Sequence, residues 1–178
     1  MLGYYRALLN KIYQFLLRRE RKDLAVERGL LNYKKINEVG ILFNATFEEP
    51  TQAVLSYVKD LKAEGKKVSM LAYIDANLET KRNFPSFGKK QINWLQIPKT
   101  LQAKRFMNKQ FDLLINAYTE ECKPLEYIAS LSMAKLRIGK YFETDIVCND
   151  FMLQMENEEK TVGNLLEKIT FYLKNLNK

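Results

Sequence analysis

Apolar residues recur along this chain with two periods, and the switches between them outline its elements. From Leu2 to Leu17 the positions Leu2, Tyr5, Leu8, Leu9, Ile12, Tyr13, Leu16 and Leu17 follow helical spacing, and Arg6, Lys11, Arg18, Arg19, Arg21 and Lys22 give the same stretch a cationic side and end. Residues 23–35 predict a short second helix or connector with Gly29 as its stop. The first strand is Val39–Phe43, followed by Asn44-Ala45-Thr46. Pro50 opens a helix to Leu61, and Gly65 follows its end. Strands are then expected at Lys67–Ile74, Ile92–Ile97, Phe111–Asn116, Leu136–Phe142 and Phe151–Met155, with residues 76–90 as a loop. Helices are expected at Lys99–Lys109, from Pro124, and at Thr161–Leu176.

Short apolar strands alternating with helices of about three turns are the mark of βαβ units and parallel pairing. The fold class is therefore α/β. Residues 38–178 should form a single three-layer Rossmann-like domain with a mostly parallel open sheet of five to six strands, and residues 1–37 a basic helical arm. In such sheets ligands sit beyond the carboxyl ends of the strands, where strand order reverses. If the Val39 and Phe111 strands are neighbours, Asn44 and Thr46 would face Asn116 and Thr119 across that crevice, with Asp75 and Asn77 at the end of the second strand. These residue types also simply end strands and cap helices, so a polar pocket and plain structural use both remain open.

Composition narrows the chemistry. The chain has no histidine, which removes the common histidine-activated nucleophiles, the usual zinc sites and the commonest general base near neutral pH. Two distant cysteines, Cys122 and Cys148, make neither a disulfide framework nor a CxxC site and suit a reducing cytosol. After the first strand a dinucleotide or P-loop site would need glycines. The chain instead has Asn44-Ala45-Thr46-Phe47-Glu48-Glu49-Pro50, whose carboxylates oppose a pyrophosphate at the helix start. No cofactor or metal is implied. Glu120-Glu121-Cys122 before Pro124 suits the helix dipole better than catalysis. Glu156, Glu158 and Glu159 fit a solvated turn better than a metal cluster. Trp94 is expected in the core, and Phe84-Pro85-Ser86-Phe87 is apolar enough to cover a sheet edge or a partner.

The net charge of +8 concentrates in the arm: residues 1–38 hold nine Lys/Arg against four Asp/Glu, whereas Glu143–Glu159 holds six acidic residues and no basic one. The arm has three readings. It docks on its own domain; it lies on an anionic membrane surface; or it contacts a protein partner, another copy of the chain, or nucleic acid, the last without a recognisable reading motif. Its apolar run is too short and interrupted to span a bilayer, and its charge order is the reverse of a signal peptide. The expected location is cytoplasmic, with the inner membrane face as a peripheral option.

The order of several segments carries a resemblance. Val39-Gly40-Ile41-Leu42-Phe43-Asn44-Ala45-Thr46, Asn93-Trp94 with Ile97-Pro98, Phe111–Asn116, Pro124–Ala129 and Lys135–Tyr141 follow the basic helix. Together they resemble an uncharacterised bacterial family known only as a domain of unknown function, which implies a small cytosolic α/β protein and no assigned chemistry. The segment Phe111–Tyr141 also resembles the N-terminal half of heptosyltransferase-like glycosyltransferases, which hold their nucleotide sugar with a second Rossmann-like domain. The sequence thus favours a non-enzymatic binding or interaction domain that engages a partner or membrane through Arg6, Lys11, Arg18, Arg19, Arg21 and Lys22. The alternative is a small-ligand-binding protein or enzyme of the sugar or nucleotide class, using Asn44, Thr46, Asp75, Asn116 and Thr119.

Overall fold

The computed structural model describes residues 2–22, 26–76, 82–143, 148–156 and 160–175, with the side chains of 2–7 and 22 excepted. Asn77, Glu158 and Glu159 lie outside the described residues, as do the side chains of Arg6 and Lys22. Six strands form one sheet: β1 Glu38–Asn44, β2 Lys67–Ile74, β3 Ser86–Gly88, β4 Leu113–Ala117, β5 Leu136–Lys140 and β6 Phe151–Leu153. Every pairing is parallel and the order is β3-β2-β1-β4-β5-β6. The order reverses between β1 and β4, the arrangement of a doubly wound α/β domain.

Among the described residues five α-helices accompany the sheet: α1 Leu2–Lys22, α2 Glu48–Ala63, α3 Leu101–Asn108, α4 Lys123–Leu131 and α5 Val162–Asn175. Strand alternation sorts the two faces. Val39, Ile41 and Phe43 of β1 join Val54, Val58 and Leu61 of α2 and Leu165, Ile169 and Leu173 of α5. Leu42, from the other side of β1, joins Ala103 and Phe106 of α3 and Leu125 and Ile128 of α4. Gly40 also belongs to that second side, where an added Cβ would stand 2.9 Å from the Phe111 ring. Gly65, at φ +82°, follows α2, and its N–H donates to Lys62 O, so the helix stops where the sequence expects.

The predicted third strand is corrected. Ile92–Ile97 forms a tight reversal, with only an antiparallel bridge between Ile92 and Pro98. The Asn93 side chain accepts from the Leu95 and Ile97 amides at 2.9 Å each, and Gln96 takes φ 62°. That local asparagine turn outcompetes strand pairing despite the apolar pattern. The third strand is instead Ser86–Gly88, inside the segment expected to be a loop; Ala72 N donates to Pro85 O as pairing begins, and buried Phe87 anchors it. Trp94 is consequently not in the core but 68% exposed.

Helix α1 packs on its own domain. Tyr13 and Leu17 are buried against Tyr127 and Leu131 of α4. The Tyr13 hydroxyl donates to Lys123 O at 3.2 Å and the Tyr127 hydroxyl donates to Glu20. Among the described residues no helix is long and apolar enough to cross a membrane.

Beneath the far end of α4 lies the most enclosed charge of the sheet. Arg137 of β5 is 1% exposed. Its Nε and Nη2 donate to the Asp150 carboxylate at 3.0 and 2.7 Å, and its Nη1 donates to Ala129 O and Ser130 O. Arg28 donates to Ser132 O and Ala134 O and stands 3.6 Å from Asp150. Two guanidinium groups thereby satisfy the carbonyls at and just past the α4 end, where cations are favoured.

Candidate functional site

The crevice expected at the reversal of strand order exists. A cleft of about 730 Å³ opens above β1, β2 and β4. The strand ends Asn44, Thr46 and Asp75 form its floor, Phe47 just before α2 and the start of α4 its flanks, and Leu9, Asn10 and Tyr13 of α1 one wall. The Asn93 reversal supplies the opposite wall with Trp94, Leu95 and Gln96.

Hydrogen bonding inside the floor is specific. Thr46 N and Oγ1 both donate to Asn44 Oδ1, at 3.0 and 2.6 Å, and Asp75 N donates to Thr46 Oγ1 at 2.8 Å. The end of β1 is thus stitched to the end of β2, while the Asp75 carboxylate pairs with Lys89 at 2.7 Å and accepts from the Tyr73 hydroxyl. Burial first, then the Asp75 charge, raises the Tyr73 hydroxyl above its ordinary pKa. On the α4 side, Glu120 and Glu121 are exposed and the Lys123 ammonium donates to Asn10 Oδ1.

Cys122 sits at the start of α4 with its thiol pushed up to about 12 by burial and by the neighbouring Glu126 and Asp75 carboxylates. Burial likewise pushes the Cys148 thiol up to about 11. Neither is poised as a thiolate nucleophile. Glu126 is 2% exposed and accepts from Cys122 N at 2.9 Å; burial raises its carboxyl above the usual range. Among the described residues no group of three or more His, Cys, Asp or Glu side chains could hold a metal ion.

Asn44, Thr46 and Asp75 therefore come together as the sequence suggests, but Asn116 and Thr119 do not join them. Asn116 is 1% exposed and faces away from the cleft; its Nδ2 donates to Asn149 Oδ1 at 2.6 Å and to Cys148 O at 3.3 Å. Gly139, its register partner on β5, makes room for this contact: an added Cβ there would stand 2.9 Å from both Asn116 Cβ and Asn149 Oδ1. Asn116 thus tethers the segment leading into β6 through its Nδ2, while its buried Oδ1 has no hydrogen-bond partner among the described residues. Thr119 is absent from the lining and uses its carbonyl to accept from Lys140 Nζ at 2.7 Å.

Sequence reasoning missed the walls. Leu9, Asn10 and Tyr13 look like ordinary members of an amphipathic helix, and only the docking of α1 on α4 brings them to the site. Trp94 was obscured by its apolar neighbours, although Asn93 before it is a turn signal. Of the arm's cationic residues, Lys11, Arg18 and Arg19 are exposed. Arg21 is half-buried near Arg137, and burial and that like charge lower its pKa.

With this geometry in place, comparison with known proteins identifies the relatives. The profile of a family of unknown function, DUF6913, matches residues 7–176. The chain belongs to that family. No curated protein matches it. Among solved structures, E. coli heptosyltransferase WaaC with ADP is similar at 11% sequence identity and a TM-score of 0.44, over 72% of this chain. The chain spans 46% of the length of that heptosyltransferase.

Proposed function

We propose that the domain binds a small ligand in the cleft at the β1–β4 reversal. One observation carries the reading: the only tryptophan in the chain stands 68% exposed on the wall of that cleft, opposite an ordered set of polar strand ends. A large exposed ring beside fixed hydrogen-bonding groups is what recognition of a small ring-bearing molecule requires. No residue is assigned a catalytic role: among the described cleft residues the Cys122 thiol is buried and pushed up to about 12, and Asp75 is paired with Lys89.

Because Trp94 is the sole tryptophan, its fluorescence reports the cleft directly. Titration with sugars, nucleosides, nucleotides and sugar phosphates should produce a saturable change in emission. Calorimetry should show that Trp94→Ala weakens the same binding. Binding that leaves emission unaltered and survives Trp94→Ala would place the ligand elsewhere and remove the proposal.

A second reading concerns the outer side of α1. Leu8, Lys11, Phe15, Arg18 and Arg19 share one exposed stripe, with Phe15 67% exposed, opposite the docked Tyr13 and Leu17. Cations interleaved with an exposed aromatic suit an anionic membrane surface. Co-sedimentation with phosphatidylcholine vesicles should then require added phosphatidylserine and disappear in Lys11→Glu/Arg18→Glu. Equal sedimentation of that variant would exclude this surface.

A further inference from the structure

In a doubly wound sheet the helices after the two central strands begin at the ligand crevice, and their free amides and positive ends normally make it an anion seat. Both starts are altered here. The first three residues of α2 are Glu48, Glu49 and Pro50, so two exposed carboxylates stand at the positive end, outside the cleft lining and with Glu48 4.0 Å from Arg82, and the third residue has no N–H. At the start of α4, Cys122 N donates to the buried Glu126 carboxyl and Leu125 N donates to Cys122 O. Pro124, between them, has no N–H to offer. Most of the amides that would cradle a phosphate at α4 are thus occupied or missing.

The side chains reinforce this. Among the described residues the cleft is lined by three carboxylates, Asp75, Glu120 and Glu121, against two ammonium groups, Lys89 and Lys123. Lys89 is committed to Asp75 at 2.7 Å and Lys123 donates to Asn10. Glu120 and Glu121 are exposed, with the Lys140 ammonium as the cation that feels their charge. Against this unwelcoming field for anions, the exposed Trp94 ring offers an apolar or cation-attracting face.

We propose that the cleft selects an unphosphorylated ring-bearing ligand, uncharged or cationic (a free sugar, an amino sugar or a nucleoside), and discriminates against its phosphorylated form. This rests on the cleft being the ligand site. The fold has kept the usual crevice while removing the usual phosphate seat from it.

The test uses matched pairs on the full chain: adenosine with adenosine monophosphate, uridine with uridine monophosphate, and glucosamine with glucosamine 6-phosphate. Binding is followed by Trp94 emission and by calorimetry. In any pair that binds, the phosphorylated member should be weaker by about tenfold or more, a difference of about 1.4 kcal/mol. Glu120→Gln/Glu121→Gln, which changes only exposed groups, should narrow that gap. A phosphorylated member that binds as well or better while still shifting Trp94 emission would overturn the selectivity and leave the cleft as the ligand site. If no member of any pair alters Trp94 emission or releases heat, the cleft reading falls and the selectivity falls with it.

Discussion

Replacing Asp150 by alanine should be far more damaging than replacing its partner Arg137, although the two share one ion pair. Arg137 is 1% exposed at its side chain and Asp150 22%. Asp150→Ala would therefore strand a guanidinium that water cannot reach, leaving it only the Ala129 and Ser130 carbonyls. Arg28 would lose its carboxylate as well, so the repulsion between Arg28 and Arg137 would go unopposed. Removing one partner of a buried pair costs roughly 3–5 kcal/mol. Arg137→Met instead leaves a carboxylate that reaches solvent and keeps Arg28 at 3.6 Å. Its main loss is the donor to the α4 carbonyls, about 1–3 kcal/mol. The double variant Arg137→Met/Asp150→Ala should recover part of the single Asp150→Ala loss, because no buried charge remains unpaired.

Urea unfolding at neutral pH, followed by far-ultraviolet circular dichroism, reads all three variants. The pH dependence supplies a separate check. Burial alone would raise the Asp150 carboxyl, but the hydrogen bonds and charge of Arg137, with help from Arg28, hold it below its ordinary value. Its folded pKa is therefore depressed, and its stabilisation is fully present above the unfolded pKa and lost as pH falls through the folded one. The difference between the parent chain and Asp150→Ala should accordingly shrink in acid. An Asp150→Ala cost below about 1 kcal/mol, the range of an exposed pair, or a larger cost for Arg137→Met, would refute the reasoning.

Two further outcomes follow from single contacts. Asp112 accepts from the Asn37 and Glu38 amides and from Lys135; burial opposes its ionisation, yet these bonds bring its carboxyl down to about 2. The stability it supplies should be lost from about pH 4 down through pH 2, and Asp112→Asn should flatten that part of a melting-temperature profile; an unchanged profile would deny the bond network its role. Leu17→Ala should cost about 2 kcal/mol, the low end for a core leucine because its cluster is small, and hydrogen exchange should quicken first in α1. Exchange quickening uniformly across the sheet would mean that α1 does not open as a separate unit.

Much of this architecture is legible without coordinates. Strands such as Val39–Phe43 carry an unbroken apolar run because both their faces are covered, and helices such as α2 announce themselves through Pro50 and Gly65. The floor of the cleft was legible too, since polar residues at the ends of β1 and β2 follow from strand boundaries. The short third strand was not. Three residues carry too little pattern, and the apolar run at Ile92–Ile97 competes for the same assignment until Asn93 bends it back.

What the sequence by itself determined is what lies near in the chain: the α/β class, the absence of histidine chemistry, and carboxylates and prolines where a phosphate loop would need glycine and free amides. What only the tertiary structure decided lies between distant segments. It turned Asn116 away toward Asn149, brought Tyr13 of α1 to the cleft wall, and left Trp94 open on the other side. The reason is physical. Local propensities and side-chain periodicity act over a few residues, whereas the direction in which a strand-end side chain is satisfied depends on whichever remote group packs beside it.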